Sequence, residues 1–283
     1  MSASLKRSLL VVSVMLVAAL LLSACQQAGG DDLLAEVKSR GVLRVSTDPN
    51  YEPQSFLNPD GTFEGFDIDT ANEIGRRLGV TVEFVTPDWD VITAGGWGNQ
   101  WDLSVGSMTI TTKRAENLNF TEGYYFTPAQ FAARAGAGID SIDDIAGKTV
   151  CVGTETTYEL YLSGEDIGIP AADIYVQPPA NVTVVPLPTD QECAQSIEAG
   201  RPEFDIYLTS GTVVDSNIAN GLPVVKVGGT VFLEKLAAAT DKAAGKDSKS
   251  LADEVTRIIN EMHADGFLRN TSMTWFGEDL TKR

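Results

Sequence analysis

Short β-rich runs alternate with helix-spaced apolar residues along most of this chain, and that alternation confines it to an α/β architecture. Val42-Leu43-Arg44-Val45 follows Gly41 as a strand, and Ala71, Ile74 and Leu78 then recur at helical spacing with Gly79 as a stop signal. Thr81-Val82-Glu83-Phe84-Val85 alternates as a strand. Asp102 to Val105 leads into Gly106-Ser107 and a polar segment that ends at Arg114. After Tyr124-Tyr125-Phe126 the pattern restarts. Strand Lys148–Val152 precedes a helix near Thr156–Leu162, strand Val182–Val185 precedes a helix over Gln191–Ala199, and strand Asp205–Leu208 follows Gly200. The last clear element is a helix from Leu251 to Met262, with Val255, Ile258 and Ile259 on the same face. Strands that alternate with helices call for lobes with mainly parallel sheets. The Ala/Lys/Gly/Ser stretch Ala237–Ser250 reads as a surface connection.

The N-terminus carries an address. Lys6 and Arg7 precede an uncharged apolar run from Leu9 to Leu22, which is short for a bilayer span of about 20 residues. Leu22-Ser23-Ala24-Cys25 then resembles the bacterial lipobox, so residues 1–24 read as a lipoprotein signal peptide and Cys25 as the lipidated residue. An ordinary signal peptide with a chance cysteine is the alternative. One acyl chain holds weakly and two or more hold stably, and the diacylglyceryl group implied at Cys25 supplies two. The polar segment after it makes 25–38 a tether. Removing residues 1–24 shortens 283 residues to 259 and, with Lys6 and Arg7 gone, takes the formal charge from −18 to −20. At about 150 residues per domain, that length suggests two lobes.

Strong acidity argues against a nucleic-acid partner, whose phosphates need a basic surface. The one histidine, His263, lies on the C-terminal helix and reads as a helix-surface residue. Histidine-based nucleophilic catalysis would have to use it. Zinc-type His/Cys spacing, GxGxxG after a strand and a P-loop are all missing from the sequence, so no cofactor or metal is implied. Asp67 and Asp69 in Gly65-Phe66-Asp67-Ile68-Asp69 fit helix capping and helix-dipole roles better than a metal site. Cys151 and Cys193 remain after Cys25. Outside the cytoplasm they can pair, but the sequence does not fix their separation, so free thiols stay an open alternative.

The run Gly106-Ser107-Met108-Thr109-Ile110-Thr111-Thr112-Lys113-Arg114 carries the most chemistry. A guanidinium is a planar donor fork that pairs bidentately with a carboxylate. Hydroxyls and main-chain groups ahead of it can orient the rest of a small zwitterion. Taken alone, a Thr-rich loop with an arginine is commonly just a helix start.

Its surroundings add a resemblance. Gly41 to Val45, Asp48-Pro49-Asn50-Tyr51-Glu52-Pro53, Gly65 to Asp69, Trp89-Asp90, Ser107 to Arg114 and Phe120 to Tyr125 come in an order that closely resembles family 3 of the bacterial solute-binding proteins, the polar amino-acid receptors of ABC importers. Gly147-Lys148-Thr149-Val150, Gly200-Arg201 with Asp205, Asp265-Gly266 and Trp275-Phe276-Gly277 continue it over essentially the whole mature chain. The resemblance implies a type II periplasmic-binding-protein fold, with lobe 1 over 39–127 and 236–283 and lobe 2 over 128–235. The crossings fall near Phe126–Ala129 and Glu234–Ala237, and the ligand lies in the cleft between the lobes. It also implies that Arg114 clamps the ligand carboxylate, that Ser107 and Thr109 receive the ammonium, and that Tyr51 and Trp89 sandwich the aliphatic part. Asp48 matches a residue that touches the ligand side chain. Thr156 and Thr157 match a helix N-terminus that holds the carboxylate from the other lobe. The implied protein is a monomeric, non-enzymatic receptor outside the cytoplasm, with importer subunits as partners.

Two departures stand out. Ser210 sits where the family usually has an aspartate for the ligand ammonium, so another acid such as Asp215 or Glu155 must replace it, or the ligand is not an ordinary α-amino acid. Glu155 occupies a position that is often glycine. An arogenate-type dehydratase on the same fold is the alternative function, with Glu155 as the nameable acid/base. The acids Asp48, Glu52 and Glu155 lean toward a basic ligand.

Overall fold

The computed structural model describes residues 31–283. The signal-peptide and Cys25 assignments therefore lie outside the described residues. The first helix, α1 (Leu33–Arg40), is capped by the Asp32 carboxylate on the Ala35 amide, and it buries Leu33 and Val37 in the core. The tether assignment over 25–38 thus needs correcting: residues 33–38 are folded structure, because two apolar side chains one turn apart find a core to cover.

The parallel pattern in the sequence becomes two parallel blocks. On one side β1 (Val42–Ser46) pairs in parallel with β5 (Thr81–Val85) and with β6 (Leu103–Thr109). On the other, β8 (Thr149–Gly153) pairs in parallel with β9 (Thr183–Leu187) and β10 (Ile206–Ser210). Between the blocks run two long antiparallel strands, β7 (Leu118–Arg134) and β12 (Leu233–Asp241). Strand β7 pairs with β12 as far as Pro128 and with β10 from Ala129 onward, so one 17-residue strand belongs to both lobes. At ~3.3 Å per residue it spans about 55 Å. The short β11 (Val224–Val227) also pairs with β7, and β2 (Asn50–Tyr51), β3 (Ser55–Leu57) and β4 (Phe63–Glu64) form a small separate sheet.

Helices cover both faces. In lobe 1, α2 (Phe66–Leu78) and α8 (Lys249–Ala264) bury Phe66, Ile74, Val255 and Ile258 against Leu43, Val45 and Leu103. A second cluster packs Ile92 of α3 (Trp89–Ala94) with Trp97, Trp101 and Met108. In lobe 2, Tyr158 and Tyr161 of α5 (Thr157–Leu162) pack on Phe131, Val150 and Phe232. Across the sheet, Cys193 of α6 (Asp190–Glu198) joins Tyr207 and Val214, the latter from α7 (Gly211–Ala219). None of these clusters mixes residues of the two lobes, so each can move as a unit. Cys151 of β8 and Cys193 are disulfide-bonded, which closes the alternative of free thiols.

Two sequence expectations are corrected here. Ala237–Ser250 is not all surface connection, since Ala237 to Asp241 are buried in β12. A further helix, α9 (Phe267–Phe276), follows Leu251–Met262 between the left-handed glycines Gly266 and Gly277. It seats Phe276 against Phe66 and Tyr125. His263 is partly buried, with its ring nitrogen on the Gly123 carbonyl at 2.9 Å. No helix among the described residues is long and apolar enough to cross a membrane.

Candidate functional site: the interlobe cleft

In parallel blocks the loops at the carboxyl ends of the strands form the natural crevice, and here the crevices of both lobes face each other. From lobe 1 come Asp48 and Tyr51 after β1, Trp89 at the start of α3, Gly106 to Thr109 at the end of β6, and Arg114, which opens α4 (Arg114–Asn117). Lobe 2 contributes Thr156 to Tyr158 at the start of α5 and Pro188 to Asp190 at the start of α6, and β12 contributes Glu234. They enclose a cavity of about 50 Å³. Past Asp48, Trp89, Pro188 and Thr189 it adjoins a wider interlobe cavity of about 500 Å³.

Arg114 is buried and its guanidinium lies over the Trp89 ring, 5.2 Å from the centroid. It donates to the Thr109 carbonyl at 3.2 Å and across the cleft to the Glu155 carbonyl at 2.9 Å. Burial pulls its pKa down to about 10, opposed by the nearby Glu234, so it stays cationic at neutral pH. The Trp89 indole also donates to the Glu155 carbonyl, at 3.3 Å.

Ser107 adopts φ of +53°, a conformation costly for a residue with a side chain, and its neighbours fix it there. Its amide donates to the Tyr124 hydroxyl at 3.0 Å and its own hydroxyl donates to Asp67 at 2.7 Å, so the hydroxyl points to the floor and not into the cavity. Asp67 thus turns inward beneath the site, while the Asp69 carboxylate accepts from the Trp275 indole at 2.7 Å. Neither caps the helix, which corrects the capping assignment: Gly65 occupies the N-cap. Burial raises Asp67 to about 7.

Eight of the nine expected site residues line the cavity: Asp48, Tyr51, Trp89, Ser107, Thr109, Arg114, Thr156 and Thr157. Ser210 does not. It is fully buried at the end of β10, bonded to the Thr127 and Thr212 hydroxyls, the latter at 2.7 Å. Its proposed substitutes are elsewhere too. Asp215 is paired on the surface with Lys226 at 2.7 Å, and the exposed Glu155 carboxylate turns outward toward Lys113 at 3.8 Å. Glu155 has φ of +57°, which accounts for the position being one that suits glycine.

Two further acids that face the cavity, Asp190 and Glu234, were missed in the sequence. Asp190 accepts from the Gly153 amide at 2.6 Å and the Thr209 hydroxyl at 2.9 Å, and burial raises it to about 7. Glu234 accepts from Thr109 at 2.6 Å, from Tyr158 at 2.8 Å and from Thr157, and burial raises it as well. Asp48 is raised for the same reason. A signal for Asp190 existed: Thr189 caps the Glu192 amide at 3.2 Å, and Thr-Asp-Gln-Glu is a helix start that follows a strand. Glu234 has no local signal. Among the described residues no cluster of His, Cys, Asp and Glu has the arrangement of a metal site.

The profile of the bacterial extracellular solute-binding proteins, family 3, matches residues 43–278. The chain belongs to this family. Relatives of the chain include the L-cystine-binding protein TcyJ of Escherichia coli K12, 28% identical over 274 residues that cover 96% of this chain and 95% of that one. The L-arginine-binding protein of Pseudomonas aeruginosa is 27% identical over 84% of this chain and 89% of its own. Among solved structures, an ancestral arginine-binding protein bound to arginine superposes with a TM-score of 0.72 at 29% identity, covering 84% of this chain and 99% of that one. An ancestral amino acid-binding protein described as a precursor of cyclohexadienyl dehydratase gives 0.72 at 28% identity, covering 86% and 99%. The two-lobed α/β fold is therefore that of the family, and family 3 works outside the cytoplasm.

Proposed function

We propose that this protein is an amino-acid receptor of an ABC importer, which encloses its ligand between two lobes and is held to the membrane by lipid on Cys25. The observation that carries the reading is the cavity itself: a cationic guanidinium stacked on an indole, hydroxyls of both lobes around it, and the carboxylates of Asp48, Asp190 and Glu234 in the same lining. One cation beside carboxylates in one cavity suits a bound zwitterion, with its carboxylate at Arg114 and its ammonium toward the acids. The names of the relatives point to amino-acid ligands too. Residues 33–127 with 236–283 form one moving body and 128–235 the other, with the hinge where β7 and β12 cross between lobes. The protein acts as a monomer and performs no chemistry on its ligand. The dehydratase reading relied on Glu155, whose carboxylate lies outside the cavity. Turnover of arogenate or prephenate would nevertheless contradict the binding-only reading.

A thermal-shift screen over the amino acids tests the reading, since a ligand of the native state raises its melting temperature by mass action. With a hit in hand, Arg114→Ala should weaken binding on the order of 30-fold or more in calorimetry, because it leaves the ligand carboxylate buried without its partner. Unchanged affinity would remove Arg114 from the pocket. Cys25→Ser should move the protein from the membrane to the soluble fraction, and continued retention would refute the anchor.

A further inference from the structure

The cleft holds more negative charge than a simple zwitterion can use. Three carboxylates, Asp48, Asp190 and Glu234, line the cavity against one guanidinium, Arg114. Asp190 and Glu234 are among the more completely buried acids, 5% and 1% exposed. A ligand with one carboxylate and one ammonium leaves the formal imbalance at two negative charges. The adjoining cavity deepens it, for its wall adds Asp88, Asp90 and Glu192 and no lysine or arginine. Uncompensated charge inside a closed cleft is expensive, and only protons or a cation can offset it.

Two of these acids are held in place by hydrogen bonds. Glu234 stands on β12, beside Thr109, and gathers the hydroxyls of Thr109 from lobe 1 and of Thr157 and Tyr158 from lobe 2. It is thus held by both lobes at once, and is positioned this way only when they are together. Asp190 sits across the cavity on the first turn of α6, fixed by β8 and β10.

Resting on the receptor reading above, we propose that Glu234 and Asp190 are the counter-ions for the ligand's positive charge, in a cleft that selects ligands of net positive charge. Glu234 then makes selection depend on closure, since the hydroxyls of both lobes surround it together only in the closed arrangement.

A second consequence is the expulsion of protons. The titratable groups facing Asp190 are Tyr51, Tyr158 and Tyr207, with Asp48 and Glu234 as neighbouring acids, and Glu192 lies beside Asp48. Arg114 is the one cation lining the cavity among the described residues, and it acts on Glu234. Burial holds Asp190 near 7, so at neutral pH it is partly protonated. An entering cation favours the carboxylate and drives its proton out, and affinity for that cation falls as pH drops below about 7.

The test is isothermal calorimetry on the mature chain with arginine, lysine, glutamine, glutamate and cystine. Arginine or lysine should bind on the order of 30-fold or more tighter than glutamine, and Glu234→Gln and Asp190→Asn should each erase most of that preference. Arginine binding to the unmodified protein, measured at pH 7 in phosphate and in Tris, should show a buffer-dependent enthalpy that reports proton release. That measurement needs no variant, so it decides the matter even where a substitution fails to fold. Glutamine, glutamate or cystine bound as tightly as arginine overturns the charge assignment and leaves the receptor reading in place. Arginine binding without proton release overturns it too. If neither arginine nor lysine binds, this inference falls, and the thermal-shift screen over the amino acids decides the receptor reading separately.

Discussion

At the residue scale, Asp67 shows how a buried acid can serve a site it does not line. Its two oxygens accept from Ser107 and from Tyr124, at 2.7 Å each, and so they hold the strained Ser107 backbone at the cavity floor. Its folded pKa of about 7, and that of Asp190, stand above the ordinary carboxylate value of 3.8 because burial penalises the charged form. Between those limits the folded state binds more protons than the unfolded one, so stability falls as pH rises from about 4 through about 7. Ion-paired acids such as Glu73 and Asp265 are held below their ordinary values and act the other way, mostly below that window. Asp67→Asn should flatten the fall, measured as melting temperature against pH, at about 1.4 kcal/mol for each unit of pKa shift removed. A slope identical to that of the unmodified protein would show that Asp67 is not protonated in the fold. The residues legible in the sequence were those with a local motif, Arg114 and the Ser107–Thr109 run. Asp67 was visible as a residue and not as a floor support, since its partners lie 40 and 57 positions away.

At the scale of elements, alternation of apolar pattern located the six strands of the parallel blocks and the helices α2, α5, α6 and α8. Other elements gave no such pattern. Ala237, Ala238 and Ala239 carry no β-branched or aromatic signal, yet they run between β6 and β7 and are fully buried. A strand covered on both edges and both faces can be built of small residues, because neighbouring side chains supply the bulk. At Gly123, opposite Ala237, an added Cβ would fall 2.5 Å from the Lys235 side chain, which would have to shift to admit alanine. The extra helix α9 was hidden by its mixed composition, and its place is set by Phe276 and Trp275 packing onto α2 and β7. Glu234 was illegible for a related reason. An acid in a strand looks exposed until the returning strand, the far lobe and the hydroxyls of Thr157 and Tyr158 close around it.

For the whole molecule, the function turns on the balance between open and closed lobes, and direct bonds across the cleft set it. Gln54 of lobe 1 donates its side-chain amide to Thr212 of lobe 2, Arg114 and Trp89 both bond the Glu155 carbonyl, and the terminal Arg283 reaches Asp173 at 2.6 Å beneath the hinge. Ligand affinity is the intrinsic affinity of the closed form multiplied by the fraction closed. A neutral hydrogen bond contributes about 0.5–1.5 kcal/mol net, so losing the Gln54–Thr212 bond should lower the closed-to-open ratio about 2- to 10-fold. The site residues are untouched by the pair Gln54→Ala and Thr212→Val, since neither side chain lines the cavity. Where the closed form is not already dominant, the double variant should therefore lose affinity by that same factor, with the radius of gyration of the free protein rising in small-angle scattering and that of the saturated protein unchanged. A larger saturated radius would mean that these bonds shape the closed state itself. Equal affinity together with an equal free radius would show that they do not bias closure, and would leave the hinge strands and the Glu155 carbonyl to set the balance.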